Sequence, residues 1–251
     1  MKIIHTSDWH LGQNFFEYDR RDEHCSMVNQ LVDLVKCEKP DALVIAGDIL
    51  PLNIQRKIDE SICWLCNDFK DWANNLECQK VIFIAGNHDF VFEHFLENKF
   101  MNSIETEEMI FGKNNSKIVY LCDSKYVWQD KTFYGFPWCP NLEKWAFYKD
   151  ETEMEKAVQL IPNKLDVLIT HCPPQSTLQA TVLQQGWNYM TDFGCQELTT
   201  GLISKDINWC ICGHIHSGKH TPDTVFGTHV VNVSIKDEDY KISYNLFEFE
   251  I

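Results

Sequence analysis

Five short apolar runs, each followed closely by Asp, His or Asn, constrain the fold of this 251-residue chain more than any other feature. Segments with apolar residues at helical spacing separate the first three runs, which predicts the order strand, helix, strand, helix, strand. This alternation is typical of an α/β sheet, whose functional side chains gather just beyond the carboxyl ends of the strands. The runs predict buried strands at 2–6, 42–46, 81–85, 167–170 and 209–212.

Closely spaced strand-like runs also occur at 117–138 and 224–251. They predict a second sheet, or antiparallel additions to the first. The chain contains no internal repeat and no Gly/Ser linker, and its length suits one large domain. We therefore expect a single catalytic domain over residues 1–251.

The polar residues after the five runs are of the types that bind transition metals. Glycines before three of them permit the sharp backbone turns that would aim such side chains at one point. Carboxylate, imidazole and amide groups together suit Mn, Fe, Zn, Co or Ni better than they suit an all-oxygen calcium site or a thiolate zinc site. Each motif alone is common, but five in order at predicted strand ends favour a metal centre. The residues are Asp8, His10, Asp48, Asn87, His171, His214 and His216.

The series Asp-x-His, Gly-Asp, Gly-Asn-His-Asp, His and Gly-His-x-His closely resembles that of the calcineurin-like metallophosphoesterase superfamily, from residue 1 to about 217. The resemblance implies an α/β fold, a four-layer αββα sandwich with two central mixed sheets. It also implies two divalent metal ions, with His88 uncoordinated beside the substrate. In that assignment Asp8, His10 and His216 hold one ion, Asn87, His171 and His214 hold the other, and Asp48 bridges both.

Two ions that share a carboxylate lie about 3.5 to 4 Å apart and activate a bridging hydroxide for attack on phosphorus. The leaving alkoxide needs a proton, which an imidazole can donate near neutral pH. We predict His88 as this acid. Asp89 is predicted either to orient His88 or to cap the following helix. The expected function is therefore a metal-dependent phosphoester hydrolase, with Mn as the favoured metal and a phosphodiesterase as the favoured type.

Two branches of the superfamily are similar to different parts of the chain. Residues 1–15, followed by 20–24, resemble SbcD-type DNA-repair exonucleases, whereas 171–174, 194–198 and 212–218 resemble compact metallophosphodiesterases. The length of the chain favours the second branch, because the exonucleases carry a further DNA-binding region. An exonuclease, a phosphomonoesterase and a non-catalytic metal-binding module remain as alternatives.

The charge of the chain bears on its substrate. A net charge of -15 with three arginines disfavours duplex DNA, whose binding depends on basic residues, and favours small or single-stranded phosphoesters. Asn87, Arg20 and Arg21 are candidates for substrate contact, since guanidinium groups clamp phosphate oxygens. Surface pairing with the neighbouring acids is the competing interpretation for both arginines.

The compartment is predicted from two further features. The first ten residues contain Lys2, His5 and Asp8, unlike a signal peptide, and no apolar run is long enough to span a bilayer. Eleven cysteines without an export signal are interpreted as reduced thiols. We therefore expect a cytoplasmic protein that makes no membrane contact.

Overall fold

The computed structural model of this chain describes residues 1–11, 20–51, 54–183 and 190–251. Within these residues, five strands form a first sheet and six form a second. The first sheet contains β1 (Lys2–Thr6), β2 (Ala42–Ala46), β3 (Lys80–Ile84), β4 (Ile118–Tyr120) and β13 (Phe247–Glu250). Its order is β13–β1–β2–β3–β4, and only β13 runs antiparallel to its neighbour.

The second sheet has a parallel centre with antiparallel edges. It contains β5 (Ser124–Trp128), β6 (Lys131–Phe136), β7 (Lys164–Thr170), β10 (Asp206–Cys212), β11 (Asp223–Val225) and β12 (Thr228–Asn232). Its order is β11–β12–β10–β7–β6–β5. The strands β8 (Thr181–Leu183) and β9 (Met190–Asp192) pair with each other and form a separate antiparallel ribbon.

Helices connect most of the parallel strands. The helical connection between β2 and β3 is continuous, because one π-helical turn at Leu65–Phe69 joins α2 (Ile58–Trp64) to α3 (Lys70–Asn75). Both α5 (Ser103–Phe111) and α6 (Glu151–Leu160) begin with a capping box. In each box, the residue just before the helix and the glutamate three positions later accept hydrogen bonds from each other's backbone amides. The helices are α1 (Arg21–Glu38), α2 (Ile58–Trp64), α3 (Lys70–Asn75), α4 (Phe90–Asn98), α5 (Ser103–Phe111), α6 (Glu151–Leu160) and α7 (Gln196–Ile203).

Neighbouring side chains of one strand pack in different layers of the fold, because successive side chains of a strand point to opposite faces of the sheet. Ile3 of β1 faces the second sheet and shares a buried cluster with Phe133 and Val167. The next residue, Ile4, shares a different buried cluster with Met27 and Leu31 of α1. The two sheets therefore pack face to face, and helices cover their outer sides. This arrangement confirms the predicted four-layer sandwich.

The predicted strands are present, although two begin three residues earlier than predicted, at Lys164 and Asp206. The region 117–138 contributes to both sheets, since β4 extends the first while β5 and β6 belong to the second. The last strand is the antiparallel addition to the first sheet. None of the helices in the described ranges is long and apolar enough to cross a membrane.

Candidate active site

The carboxyl ends of β1, β2, β3, β7 and β10 meet at one edge of the sandwich. All seven side chains that the sequence nominated as metal ligands lie there. Asp8, His10, Asp48 and His171 are almost completely buried, and Asn87 is 4% exposed. The first sheet supplies Asp8, Asp48 and Asn87, whereas His171 and His214 follow strands of the second.

The Asp48 carboxylate lies at the centre of this group. Its Oδ2 atom is 3.4 Å from Nε2 of His10 and 3.3 Å from Nε2 of His171. Nε2 of His171 in turn lies 2.9 Å from Oδ1 of Asn87. On the His10 side, Oδ1 of Asp8 is 3.8 Å from Nε2 of His10 and 3.5 Å from Nε2 of His216. One carboxylate oxygen thus stands between two sets of nitrogen and oxygen donors.

The outer nitrogens of two imidazoles show that this arrangement fits divalent metals. Nδ1–H of His171 donates to the carbonyl of Ala46 at 2.8 Å, and Nδ1–H of His216 donates to the carbonyl of Asp237 at 2.9 Å. In the neutral form of each ring, these bonds leave Nε2 unprotonated and aimed at the centre, which is the usual arrangement of metal-binding histidines. Donor atoms about 2.0–2.2 Å from a shared ion are themselves separated by about 3–3.5 Å, close to most spacings observed here.

The charges of the group also suit cations. Burial alone would raise the pKa of Asp8, but a hydrogen bond and the charge of His216 hold it below its ordinary value. Burial would lower the pKa of His171, yet the charge of Asp48 raises it to about 10. Without metal, protonated imidazoles therefore balance the buried carboxylates. Bound ions would take over that role and release the proton, because histidine binds metals in its neutral form.

Backbone amides from the loops after β3 and β10 donate hydrogen bonds to the carboxylates of Asp48 and Asp8. The amide of His88 donates to Oδ1 of Asp48 at 2.9 Å, and the amide of His214 donates to the Asp8 carboxylate at 3.0 and 3.2 Å. Glycine permits this close approach, because a Cβ at Gly86 would lie 2.3 Å from Oδ1 of Asp48. A Cβ at Gly213 would lie 2.4 Å from Oδ2 of Asp8.

Four of the ligand-type residues have left-handed backbone conformations. The φ angles are 57° at Asp8, 37° at His10, 53° at Asp48 and 69° at His214. Such angles cost of order 1–3 kcal/mol in residues other than glycine and cluster at functional sites. The surrounding hydrogen bonds therefore hold the site in a geometry that these segments would not adopt alone.

His88 lies beside the carboxylate of Asp48, with its Nε2 atom 3.9 Å from Oδ2. Its Nδ1 atom is 2.6 Å from Oε1 of Gln55, a residue that carries no recognisable motif in the sequence. The ring centroid of His88 is 4.6 Å from that of His10 and 4.4 Å from that of Trp145. Trp145 belongs to the segment between β6 and α6. The imidazole of His88 thus contacts two aromatic rings and is hydrogen-bonded at one nitrogen.

The prediction that Asp89 orients His88 is wrong. The buried Asp89 carboxylate instead accepts hydrogen bonds from the amides of Ile49, Leu50 and Gly86, at 3.3, 3.0 and 2.8 Å. It precedes α4, but its side chain does not cap that helix, so the alternative prediction also fails. Burial raises the pKa of Asp89 to about 7. The physical role of this carboxyl group is to join the loop after β2 to the loop after β3.

The prediction of Arg20 as a phosphate clamp is also wrong. Arg20 is 4% exposed, and its guanidinium group pairs with Glu23 at 2.6 Å. It also donates to the carbonyls of Asp239 and Tyr240, at 3.1 and 2.8 Å. The competing interpretation, pairing with a neighbouring acid, is correct for Arg20, although the group is buried. Arg21 is exposed at the start of α1 and is absent from the described lining of the pocket.

This arrangement makes a stability prediction for Arg20. Arg20→Ala should lower the free energy of unfolding by about 1.5 to 3 kcal/mol, because it removes charge-assisted hydrogen bonds to two carbonyls. Chemical denaturation would measure the change, with exposed Arg21→Ala as the matched control and an expected loss below about 1 kcal/mol. A raised KM with unchanged stability in Arg20→Ala would instead support the prediction that Arg20 binds the phosphate of the substrate.

A pocket of about 320 Å³ opens over the group. Val182 and Phe193, which belong to or adjoin the β8–β9 ribbon, form an apolar wall together with Ile215. Glu238 and Tyr240, from the segment after β12, also line the pocket. The ring of Tyr240 meets those of His10 and His216 edge-on, with centroids 5.2 and 5.0 Å apart. Among the described residues, the lining contains neither Lys nor Arg.

Cys139 is a further neighbour that no sequence motif indicates. Its Sγ atom lies within 4.8 Å of ring nitrogens of His171 and His214. Cys139 is completely buried and belongs to the apolar core cluster that also contains Trp138 and Phe147. We therefore assign Cys139 to the core that packs against the site.

Known proteins are similar to this chain in sequence. Human metallophosphoesterase domain-containing protein 1 is 27% identical over 204 residues, covering 74% of this chain and 57% of that protein. One component of the Escherichia coli nuclease SbcCD, the SbcD polypeptide, is 36% identical over 91 residues, covering 36% of this chain and 22% of that polypeptide. The chain therefore spans little more than half of the human relative.

A solved dimetal phosphatase from Danio rerio superposes with a TM-score of 0.57 at 12% identity, covering 96% of this chain and 88% of that one. At this identity the likeness concerns the fold. The family model for calcineurin-like phosphoesterases matches residues 1–218. That match extends through His216 and includes every ligand-type side chain at the sheet edge, so the chain belongs to the calcineurin-like phosphoesterase family.

Proposed function

We propose that this protein hydrolyses small phosphodiesters with the help of two divalent metal ions. The observation that carries the proposal is the position of Asp48, whose Oδ2 atom lies between Nε2 of His10 and Nε2 of His171 at 3.4 and 3.3 Å. A single carboxylate between two donor sets is what a shared ligand of two ions requires. The family to which the chain belongs supports phosphoester hydrolysis in general.

The residues divide between the ions as the family resemblance implies. Asp48 is shared, and Mn is the favoured metal, with Fe, Zn, Co and Ni as alternatives. When bound, two such ions neutralise phosphate oxygens and acidify a water molecule enough to make it a nucleophile at neutral pH. Asp8, His10 and His216 serve one ion, and Asn87, His171 and His214 serve the other.

The chain's own residues supply the remaining chemistry. Oδ1 of Asn87 faces His171, so the amide nitrogen of the same side chain can donate to a phosphate oxygen. His88 lines the pocket with its Nε2 atom 3.9 Å from Oδ2 of Asp48, and this nitrogen gives a proton to the leaving oxygen. The apolar lining residues Val182, Phe193 and Ile215 reduce the access of water to the substrate.

The charge of the pocket supports a diester over a monoester. A phosphodiester carries one negative charge, whereas a phosphomonoester carries close to two at neutral pH. Beyond the two proposed ions, the described lining provides Glu238 but no Lys or Arg to balance a second charge. Repulsion between two like charges about 4 Å apart costs about 1 kcal/mol in water and about 4 kcal/mol near a protein surface. The monoester is therefore the less favoured substrate.

A DNA nuclease is the second candidate, because the 91-residue match to the nuclease component is more identical than the match to the human protein. Duplex DNA carries one negative charge per about 1.7 Å of axis and requires basic residues to displace its counterions. The net charge of -15 opposes such binding. A pocket of about 320 Å³ likewise suits one small ester better than a duplex.

The experiment compares turnover of four phosphodiesters and one monoester with Mn at a fixed moderate salt concentration. We expect nitrophenyl diesters, cyclic nucleotides and short single strands to be hydrolysed faster than linear duplex DNA and nitrophenyl phosphate. Faster degradation of duplex ends would favour the nuclease, and preferred turnover of nitrophenyl phosphate would favour a phosphomonoesterase. Metal binding without turnover of any ester would favour a non-catalytic module.

A cytoplasmic location remains part of the proposal. Cys210 and Cys212 of β10 are free thiols buried in the core. Such thiols persist in a reducing compartment. Fractionation of cells that produce the protein would test this location.

A further inference from the structure

We propose that Gln55 is a positioning residue for His88: it keeps the hydrogen of the neutral ring on Nδ1, so that Nε2 is the nitrogen that takes up and gives the exchangeable proton. This inference rests on the proposed hydrolysis, in which His88 is the acid. The contact that carries it is the 2.6 Å distance between Nδ1 of His88 and Oε1 of Gln55. Gln55 lies seven residues beyond Asp48, in the segment that leads to α2.

The chemistry of the amide oxygen determines where the proton resides. An amide oxygen only accepts hydrogen bonds, so Nδ1 of His88 must carry the hydrogen. Nδ1 keeps this hydrogen in both the charged and the neutral ring. The exchangeable proton is therefore the one on Nε2, which faces Oδ2 of Asp48 at 3.9 Å.

The transfer balances with water, the co-substrate of hydrolysis. The oxygen of water forms a new bond to phosphorus, the P–O ester bond breaks, and the electron pair of the broken bond stays on the leaving oxygen. The Nε2–H bond of the charged His88 ring breaks, and the proton forms an O–H bond with that leaving oxygen. The ring is left neutral with its hydrogen on Nδ1, and the bond to Gln55 persists throughout.

Gln55 is itself firmly held. The backbone amide of Gln55 donates to the backbone carbonyl of Pro51 at 3.0 Å. The next residue, Arg56, places its guanidinium carbon 5.0 Å from the ring centroid of Trp145, which packs on His88. Gln55 therefore holds the imidazole of His88 directly, and Arg56 supports it indirectly through Trp145.

A different role for His88 would use the same contact. His88, His10 and Asp48 offer donor atoms within 4.8 Å of one another, so His88 is geometrically able to be a metal ligand. In that case Gln55 would orient a ligand, and its loss would release metal. The test must therefore separate proton donation from metal binding.

The first arm measures metal content and kcat for Gln55→Leu, Gln55→Glu and His88→Ala, with the exposed Gln79→Leu as the control. Gln55→Leu removes the acceptor at similar volume, whereas Gln55→Glu retains it. We expect both ions to remain in every variant. For a diester with a methanol leaving group, kcat should fall about 10- to 100-fold in Gln55→Leu, less than the 10²- to 10⁴-fold expected for His88→Ala.

For a diester with a nitrophenol leaving group, the same variants should lose less than about 5-fold, because nitrophenolate departs without a proton. Gln55→Leu should have no further effect in a His88→Ala background, since the two residues act as one unit. Loss of metal in Gln55→Leu, or an equal loss of kcat with both leaving groups, would overturn the proposal.

The second arm observes the tautomer by ¹⁵N NMR of the histidine rings in metal-loaded protein, with His88→Ala identifying the resonances. We expect the Nδ1–H form in the wild type and in Gln55→Glu, and a shift toward the Nε2–H form in Gln55→Leu. An Nε2–H ring in the neutral wild type would refute the proposal. This readout does not depend on turnover, so absence of hydrolysis would count against the proposed function while the tautomer still decides the role of Gln55.

Discussion

Asp48→Asn should remove most of the bound metal and lower phosphodiester turnover by about 10³-fold or more. The reason is that one oxygen of Asp48 faces donors on both sides, so its charge contributes to holding both ions. Asparagine keeps the shape but removes that charge. Changes to residues that merely orient metal ligands already cost about 10- to 100-fold, and a shared ligand should cost more.

The measurement is metal analysis of the purified protein alongside kcat. Wild-type protein should contain close to two ions per chain, and Asp48→Asn should contain less than one. Exposed Asp68→Asn, in the π-helical turn, is a matched control that should leave both values unchanged. Chelator treatment of the wild type should also abolish turnover, and Mn should restore it. Hydrolysis at an unchanged rate by metal-free protein would refute the central proposal.

His88→Ala should leave both ions in place and slow hydrolysis of alkyl diesters by about 10² to 10⁴-fold, the usual contribution of a general acid. Its backbone amide, which holds Asp48, survives the substitution, so the metal centre should stay intact. The loss of turnover caused by His88→Ala should be smaller for nitrophenyl esters than for alkyl diesters. A loss of metal comparable to that of Asp48→Asn would show that His88 is a ligand instead.

The pH profile provides a second readout of the same substitution. Burial lowers the pKa of His88 below its ordinary value, although the charge of Asp48 partly opposes this. A donor must be protonated, so its contribution is present below this pKa and is lost as the pH rises through it. We therefore expect alkyl-diester turnover to have a descending limb that begins on the acidic side of pH 6.5, the ordinary histidine value. His88→Ala should lack that limb.

The strands and the clustering of the candidate ligand side chains were predictable because their signals are local. The run 42–46 is apolar throughout and is followed by Gly47-Asp48, and the structure has β2 at the same five residues. The motif series predicted the candidate ligand set as a whole, since each member stands at the end of such a run. Burial, strand length and polar termination are all visible within about ten residues.

The errors concern contacts between distant segments. Asp89 satisfies the amides of Ile49 and Leu50, which precede it by about 40 residues, and nothing beside Asp89 in the sequence indicates that destination. Arg20 was correctly associated with nearby acids, but its carbonyl partners lie 219 and 220 positions away. Gln55 carries no motif at all. Asp89 and Gln55 meet their partners because β2 pairs with β3 in the first sheet, whereas Arg20 meets the segment after β12.

The candidate metal centre spans both sheets, and this has a consequence for the durability of the protein. Elsewhere the sheets meet largely through apolar side chains, such as Ile3, Phe133 and Val167. Ions held by Asp8 and Asp48 on one side and by His171 and His214 on the other would act as a cross-link at one rim of the sandwich. Ligands that bind only the folded state stabilise it by about 4.1 kcal/mol at 1,000 times their Kd. The supply of metal would then govern how long the folded chain survives proteolysis, as well as how fast it turns over substrate.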